Sequence, residues 1–130
     1  MSAGGDRIVL TLPAERDFYG VAHLVVGGLA ARLDLTFEEL EDLQVALDEL
    51  LGSRAGDDAV TVSVLVTPEE IATSVGPFAA EALRRELERN GESVGLRRVL
   101  ETVADRVELD ERDGGQWVEL TKSRARGAEA

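Results

Sequence analysis

The spacing of apolar residues changes period several times along the chain, and each change predicts an element. Ile8, Leu10 and Leu12 alternate with Val9 and Thr11, which predicts a short strand over residues 7–12, stopped by Pro13. From about Glu15 to Leu33 the period becomes helical. Phe18, Val21, Ala22, Val25, Val26, Leu29 and Leu33 share one face. A second helix starts at Thr36, where Thr36-x-x-Glu39 forms a capping box, and Leu40, Leu43, Leu47, Leu50 and Leu51 make its core stripe. Glu38, Asp42, Val45 and Glu49 fall on its opposite side, with Ser53 one turn further. After a Gly/Asp-rich turn, Val60, Val62, Val64 and Val66 alternate with Thr61, Ser63 and Leu65, which predicts a strand. Thr67-Pro-Glu-Glu reads as a hairpin-like turn and Ile71–Val75 as the next strand, ending at Gly76-Pro77-Phe78.

Residues 79–89 read as a weakly apolar helix followed by a polar turn, a candidate lid. Leu96, Val99, Leu100 and Val103 predict a helix from Gly95 to about Arg106. Two further strands follow, joined by Asp113-Gly114, a two-residue hairpin turn. The order β-α-α-β-β-(lid)-α-β-β predicts an α+β two-layer sandwich, with helices on one face of a mostly antiparallel sheet. One domain spans residues 6–122, with residues 1–5 and 123–130 as flexible ends.

The first helix has an unusual outer face. Gly20, Leu24, Gly27 and Ala31 lie together, with His23 beside them and Arg16 at one end. A helix turned to water ordinarily carries Lys or Glu there, and two internal glycines cost roughly 1 kcal/mol each relative to Ala. Either this face packs against another subunit or a partner helix, or the glycines break or kink the helix.

Composition narrows the function classes. The 130 residues hold 26 Asp+Glu against 14 Lys+Arg, a net charge of −12. That disfavours nucleic acid, whose phosphates need a basic footprint. It suits a soluble protein or one that meets a basic partner. The lack of Cys removes disulfides, thiolate metal sites and Cys nucleophiles. A single histidine, His23, cannot anchor a multi-His metal site. The N-terminus has no signal-peptide pattern and no apolar run is long enough to span a bilayer, so a cytoplasmic location with no membrane partner is expected.

Three local sequences, LQVALDELLGS, SVGPF and SVGLRRVLETVADRVEL, occur in an order and spacing that resembles the histidine-kinase-like ATPase (GHKL, Bergerat) superfamily. The closer resemblance is to its anti-sigma-factor serine kinase branch, over roughly residues 7–122. The resemblance implies a sigma factor and an anti-sigma antagonist as partners, with Mg-ATP as the ancestral cofactor. It places Glu49 where the family has its general base, and Ser53, one turn later on the same helix face, where the family has a magnesium-holding Asn. Ser74 stands in place of the adenine-binding Asp, Gly76 is retained while Phe78 replaces the second glycine, and Gly95 is the one glycine kept before the last helix. Magnesium prefers hard oxygen ligands, and a Ser hydroxyl is a weaker one than an Asn amide oxygen. Losing a charged acceptor costs roughly 1.5–3 kcal/mol. The resemblance therefore implies a regulatory binding protein with weak or lost ATP binding, a degenerate pocket of Glu49, Ser53, Ser74, Gly76 and Gly95, and either no cofactor or Mg-ATP held weakly. The alternative is an active ATP-dependent serine kinase acting on its antagonist, with Glu49 as base.

Overall fold

The computed structural model describes residues 5–13, 15–53, 59–79, 96–112 and 114–124. Five strands, β1 (Asp6–Pro13), β2 (Ala59–Val66), β3 (Glu70–Phe78), β4 (Arg106–Arg112) and β5 (Gly115–Ser123), form one sheet in the order β1-β2-β3-β5-β4. Every neighbouring pair is antiparallel. Three helices, α1 (Tyr19–Arg32), α2 (Phe37–Ser53) and α3 (Leu96–Val103), cover one face, and a 3-10 turn at Arg16–Phe18 leads into α1. This is the two-layer α+β arrangement that the element order predicts.

The register explains the layering. Val60, Val62, Val64 and Val66 pair across β2 with Leu12, Leu10, Ile8 and Asp6 on one side, and Val62, Val64 and Val66 pair with Val75, Thr73 and Ile71 on the other. Side chains alternate along a strand, so these valines enter the core while Thr61, Ser63 and Leu65 take the outer face. Val118 and Leu120 of β5 continue the inner layer. Against it pack Ala22, Val26 and Leu29 of α1, Leu43, Ala46, Leu47, Leu50 and Leu51 of α2, and Leu100 of α3.

Local chemistry sets the ends. The capping box at the start of α2 is reciprocal. The Glu39 N–H donates to Thr36 Oγ1 at 3.0 Å, and the Thr36 N–H donates to Glu39 Oε1 at 2.9 Å. The β2–β3 turn is held by Thr67, whose hydroxyl accepts the N–H groups of Glu69 and Glu70. Arg112 and Gly115 are register partners, so the β4–β5 hairpin turns on two residues, with Gly114 at φ +80°.

The structure refines the reading of the sequence at four places. The core face of α1 is narrower than the spacing predicts, and Arg16–Phe18 forms a 3-10 turn before it. Ala22, Val26, Leu29 and Ala30 are buried, whereas Phe18 and Val21 remain 39% and 40% exposed. The glycines do not interrupt α1, which runs unbroken past Gly20, Gly27 and Gly28. Asp42 does not lie on the solvent face of α2: it is half-buried and pairs with Lys122 at 2.9 Å. The fold also continues beyond Lys122, since β5 includes Ser123 and the Arg124 side chain is only 4% exposed. The candidate lid falls outside the described residues, apart from Ala79.

Candidate functional site

Glu49 lies on the exposed side of α2, one residue before the buried Leu50 and Leu51. Ser53 closes the same helix, with its side chain outside the described set. Helical spacing does bring positions 49 and 53 to one face. Next to Glu49, Asp48 reaches across to α1, its Oδ1 lying 2.6 Å from His23 Nε2. His23 is therefore a link between α1 and α2 at the half-buried edge of their contact.

Ser74 is elsewhere. Its register partners are Ser63 on β2 and Glu119 on β5, and its neighbours Thr73 and Val75 point into the core. Alternation puts Ser74 on the outer face of the sheet, away from the helices. There its Oγ lies 3.5 Å from Arg112 Nη2. The Arg112 guanidinium is stacked over Trp117, 4.9 Å from the ring centroid, and its Nε donates to Asp110 at 2.7 Å. Thus Ser74, buried though it sits on the outer face, lies beside the Arg112 side chain rather than a nucleotide pocket.

Gly76 belongs to the same cluster. The β3–β5 register slips between Val75 and Phe78, so Gly76 and Pro77 together oppose the single residue Trp117, a β-bulge. The Gly76–Pro77 peptide is cis. A Cβ on Gly76 would come within 2.5 Å of the Trp117 ring. The close approach that demands glycine here is made by an indole. Phe78, expected to crowd a ligand site, is buried in the core. Gly95 lies outside the described residues.

The donor set does not converge. Glu49 and the backbone of Ser53 are in the helical layer, while Ser74 and Gly76 face the other side of the sheet. Among the described residues no group of three His, Asp or Glu side chains is placed to hold a metal ion. The cavity between α2, α3 and the sheet, lined by Asp42, Ala46, Thr73, Ala104 and Lys122 among others, measures about 20 Å³. That is space for one water molecule.

The expected interface residues are better placed. Gly20, Leu24 and Ala31 are exposed, Leu24 to 77%, with Arg16 exposed at the helix entry and His23 half-buried. Gly27 is half-buried, and Gly28 instead completes the open ridge with Gly20, Leu24 and Ala31. No side chain lies within 4 Å of where a Cβ would project from Gly20, Gly27 or Gly28. Among the described residues, nothing packs where a Cβ on these glycines would stand.

Sequence reasoning missed one constellation. Arg124 reaches Glu39 with Nε 3.3 Å from Oε2 and Nη2 3.4 Å from Oε1, and donates to the Thr67 carbonyl at 3.0 Å. Lys122 and Arg124 thus tie the first turns of α2 to the end of β5. The signal was present: the inward alternation Val118, Leu120 continues in steps of two through Lys122 to Arg124.

The sheet order and the three helices on one face agree with the resemblance to the histidine-kinase-like ATPase fold. More narrowly, the chain is RsbW-like in sequence and fold. It is 28% identical to the serine-protein kinase RsbW of Halalkalibacterium halodurans over 138 aligned positions, covering 90% of this chain and 83% of that protein. The serine-protein kinase RsbW of Listeria monocytogenes serotype 4a is 27% identical, with 94% and 90% covered. No family model matches the chain. A crystal structure of the RsbU and RsbW domains of Rv1364c from Mycobacterium tuberculosis superposes with a TM-score of 0.62 at 16% identity. It covers 92% of this chain, which spans about a third (32%) of the solved chain, and shows the shared fold. No helix among the described residues is long and apolar enough to cross a membrane.

Proposed function

We propose that this protein is an anti-sigma-type regulator that works by binding protein partners, a sigma factor and an anti-sigma antagonist, with ATP binding weak or lost. The observation that carries the reading is the placement of Ser74 and Gly76. Both remnants of the adenine-binding motif are engaged by Arg112 and Trp117 on the outer face of the sheet. The likeness to RsbW proteins over nearly the whole chain supports a shared scaffold, and the helical layer that carries Glu49 retains its exposed surface. Partners meet the bare ridge of α1, where Gly20, Leu24, Gly28 and Ala31 offer a shallow uncharged surface.

Binding of the host's sigma factors by purified full-length protein, wild type against Leu24→Glu, tests the interface. Leu24 is exposed, so the substitution leaves the fold intact. The reading expects one sigma factor to bind and the variant to lose it. Unchanged binding and unchanged oligomeric state in Leu24→Glu would remove α1 from the account. The competing reading, an active serine kinase with Glu49 as base, draws on the likeness to serine-protein kinases RsbW. It requires saturable Mg-ATP binding and phosphate transfer that Glu49→Gln abolishes.

A further inference from the structure

We infer that the cavity between α2, α3 and the sheet binds one ordered water molecule, held by the Thr73 hydroxyl and the Asp42–Lys122 pair, and that this water links the middle of the sheet to α2. The inner row of β2 is all valine, and Ile71, Val75, Val118 and Leu120 continue the same layer across β3 and β5. Thr73 is the one hydroxyl in these rows. It is 2% exposed, with Val64 and Leu120 as its register partners. Among the described residues, none makes a hydrogen bond to its side chain. A buried hydroxyl is unfavourable until a partner answers it. Valine has the same shape and no polar group to desolvate, so packing alone does not account for threonine at this position.

The cavity provides the place for that partner. Its walls include Glu39, Asp42 and Ala46 of α2, Val103 of α3, and Thr73 and Lys122 of the sheet, around about 20 Å³. One water needs roughly 10–15 Å³ of such space, so a single molecule fits and a larger ligand does not. A bound water also needs two to four polar partners. Asp42 and Lys122, both half-buried, meet at 2.9 Å. An ammonium has three donors and a carboxylate about four acceptor positions, so the pair keeps capacity for a further bond on each side. The Thr73 hydroxyl both donates and accepts.

Charge selects water over an ion. The two carboxylates in the wall, Asp42 and Glu39, are matched by Lys122 and Arg124. The balance leaves no excess charge to hold a metal cation or an anion, and Thr73 is neutral. A small neutral molecule with both donors and acceptors fits this lining. Bound there, it fastens β3, the middle strand of the sheet, to α2, beside the direct ties that β5 makes through Lys122 and Arg124. The inference does not depend on the partner-binding reading.

The test is a high-resolution crystal structure of the full-length protein, with thermal melts of Thr73→Val beside wild type. We expect one density peak within hydrogen-bond reach of Thr73 Oγ1, about 2.5–3.0 Å away, and of Asp42 or Lys122. Thr73→Val keeps the side-chain shape and removes the hydroxyl. Its melting midpoint should fall by about 3–5 °C, the shift that one lost net hydrogen bond produces in a domain of this size. Thr73→Ser keeps the hydroxyl and should keep the peak. A midpoint that Thr73→Val leaves unchanged or raises would mean that valine merely removes an unanswered hydroxyl, and would overturn the inference. So would a wild-type structure with no peak beside Thr73, or with a larger molecule or a metal ion there. The wild-type density decides the matter even where a variant does not fold.

Discussion

Arg124 and Glu39 form a buried ion pair, 3.3 Å between Nε and Oε2, that fastens the end of the last strand to the first turn of α2. The arginine also donates to the Asp34 and Thr67 carbonyls, so its donors are well used. Removing one partner of a buried pair leaves the other charge uncompensated, at about 3–5 kcal/mol. Arg124→Ala should therefore lower the midpoint of urea unfolding by that equivalent. A loss under 1 kcal/mol would mean that water reaches Glu39 freely.

A Cβ on Gly76 would collide with the Trp117 ring, 2.5 Å away. Gly76→Ala should destabilise the protein by about 1–3 kcal/mol, the range for an overpacked core. In a Trp117→Leu background most of that penalty should vanish, because the colliding ring is gone. A double-mutant cycle in chemical denaturation checks this coupling. Additive effects would show that Gly76 serves something other than the indole.

Two groups on the β5 end set opposite pH limits. Asp105 is held below its ordinary 3.8, chiefly by the Ser123 N–H donated to its carboxylate at 2.6 Å. A carboxylate with a depressed folded pKa contributes stability above its unfolded value, and that contribution fades as pH falls through the folded one. Lys122 is held above its ordinary 10.5, chiefly by its hydrogen bond to Asp42. Its contribution is full below 10.5 and is lost as pH rises through the folded value. Asp105→Asn should flatten the acid limb of the stability curve below pH 4, and Lys122→Met the alkaline limb above pH 10. Thermal melts across pH 2–12 give the readout; limbs unchanged in the variants would exclude these groups.

The Thr36 hydroxyl accepts one of the two hydrogen bonds of the capping box, from the Glu39 N–H. Thr36→Ala should cost about 1 kcal/mol in unfolding free energy. Thr36→Ser should cost a few tenths at most, because the hydroxyl that accepts the Glu39 N–H is kept.

Most of the fold was legible in the chain because it rests on period. The valines of β2, the leucines of α2 and the Asp-Gly turn each carry a local signal that the structure obeys. Missed features depend on contacts far apart in sequence. Arg124 lies 85 residues from Glu39, and in isolation reads as part of a polar tail. Asp42 reads as a solvent residue until β5 supplies Lys122. The motif at Ser74 was legible as a sequence but not as a place. Whether it faces the helices or the open side depends on strand register, which a single-residue slip reverses.

On the proposed function, the scaffold persists while its nucleotide site does not. Calorimetric titration of Mg-ATP into the full-length protein tests it most directly. The account predicts no saturable heat up to millimolar nucleotide, in wild type and in Glu49→Gln alike. A micromolar dissociation constant that Glu49→Gln or Ser53→Ala weakens would contradict it.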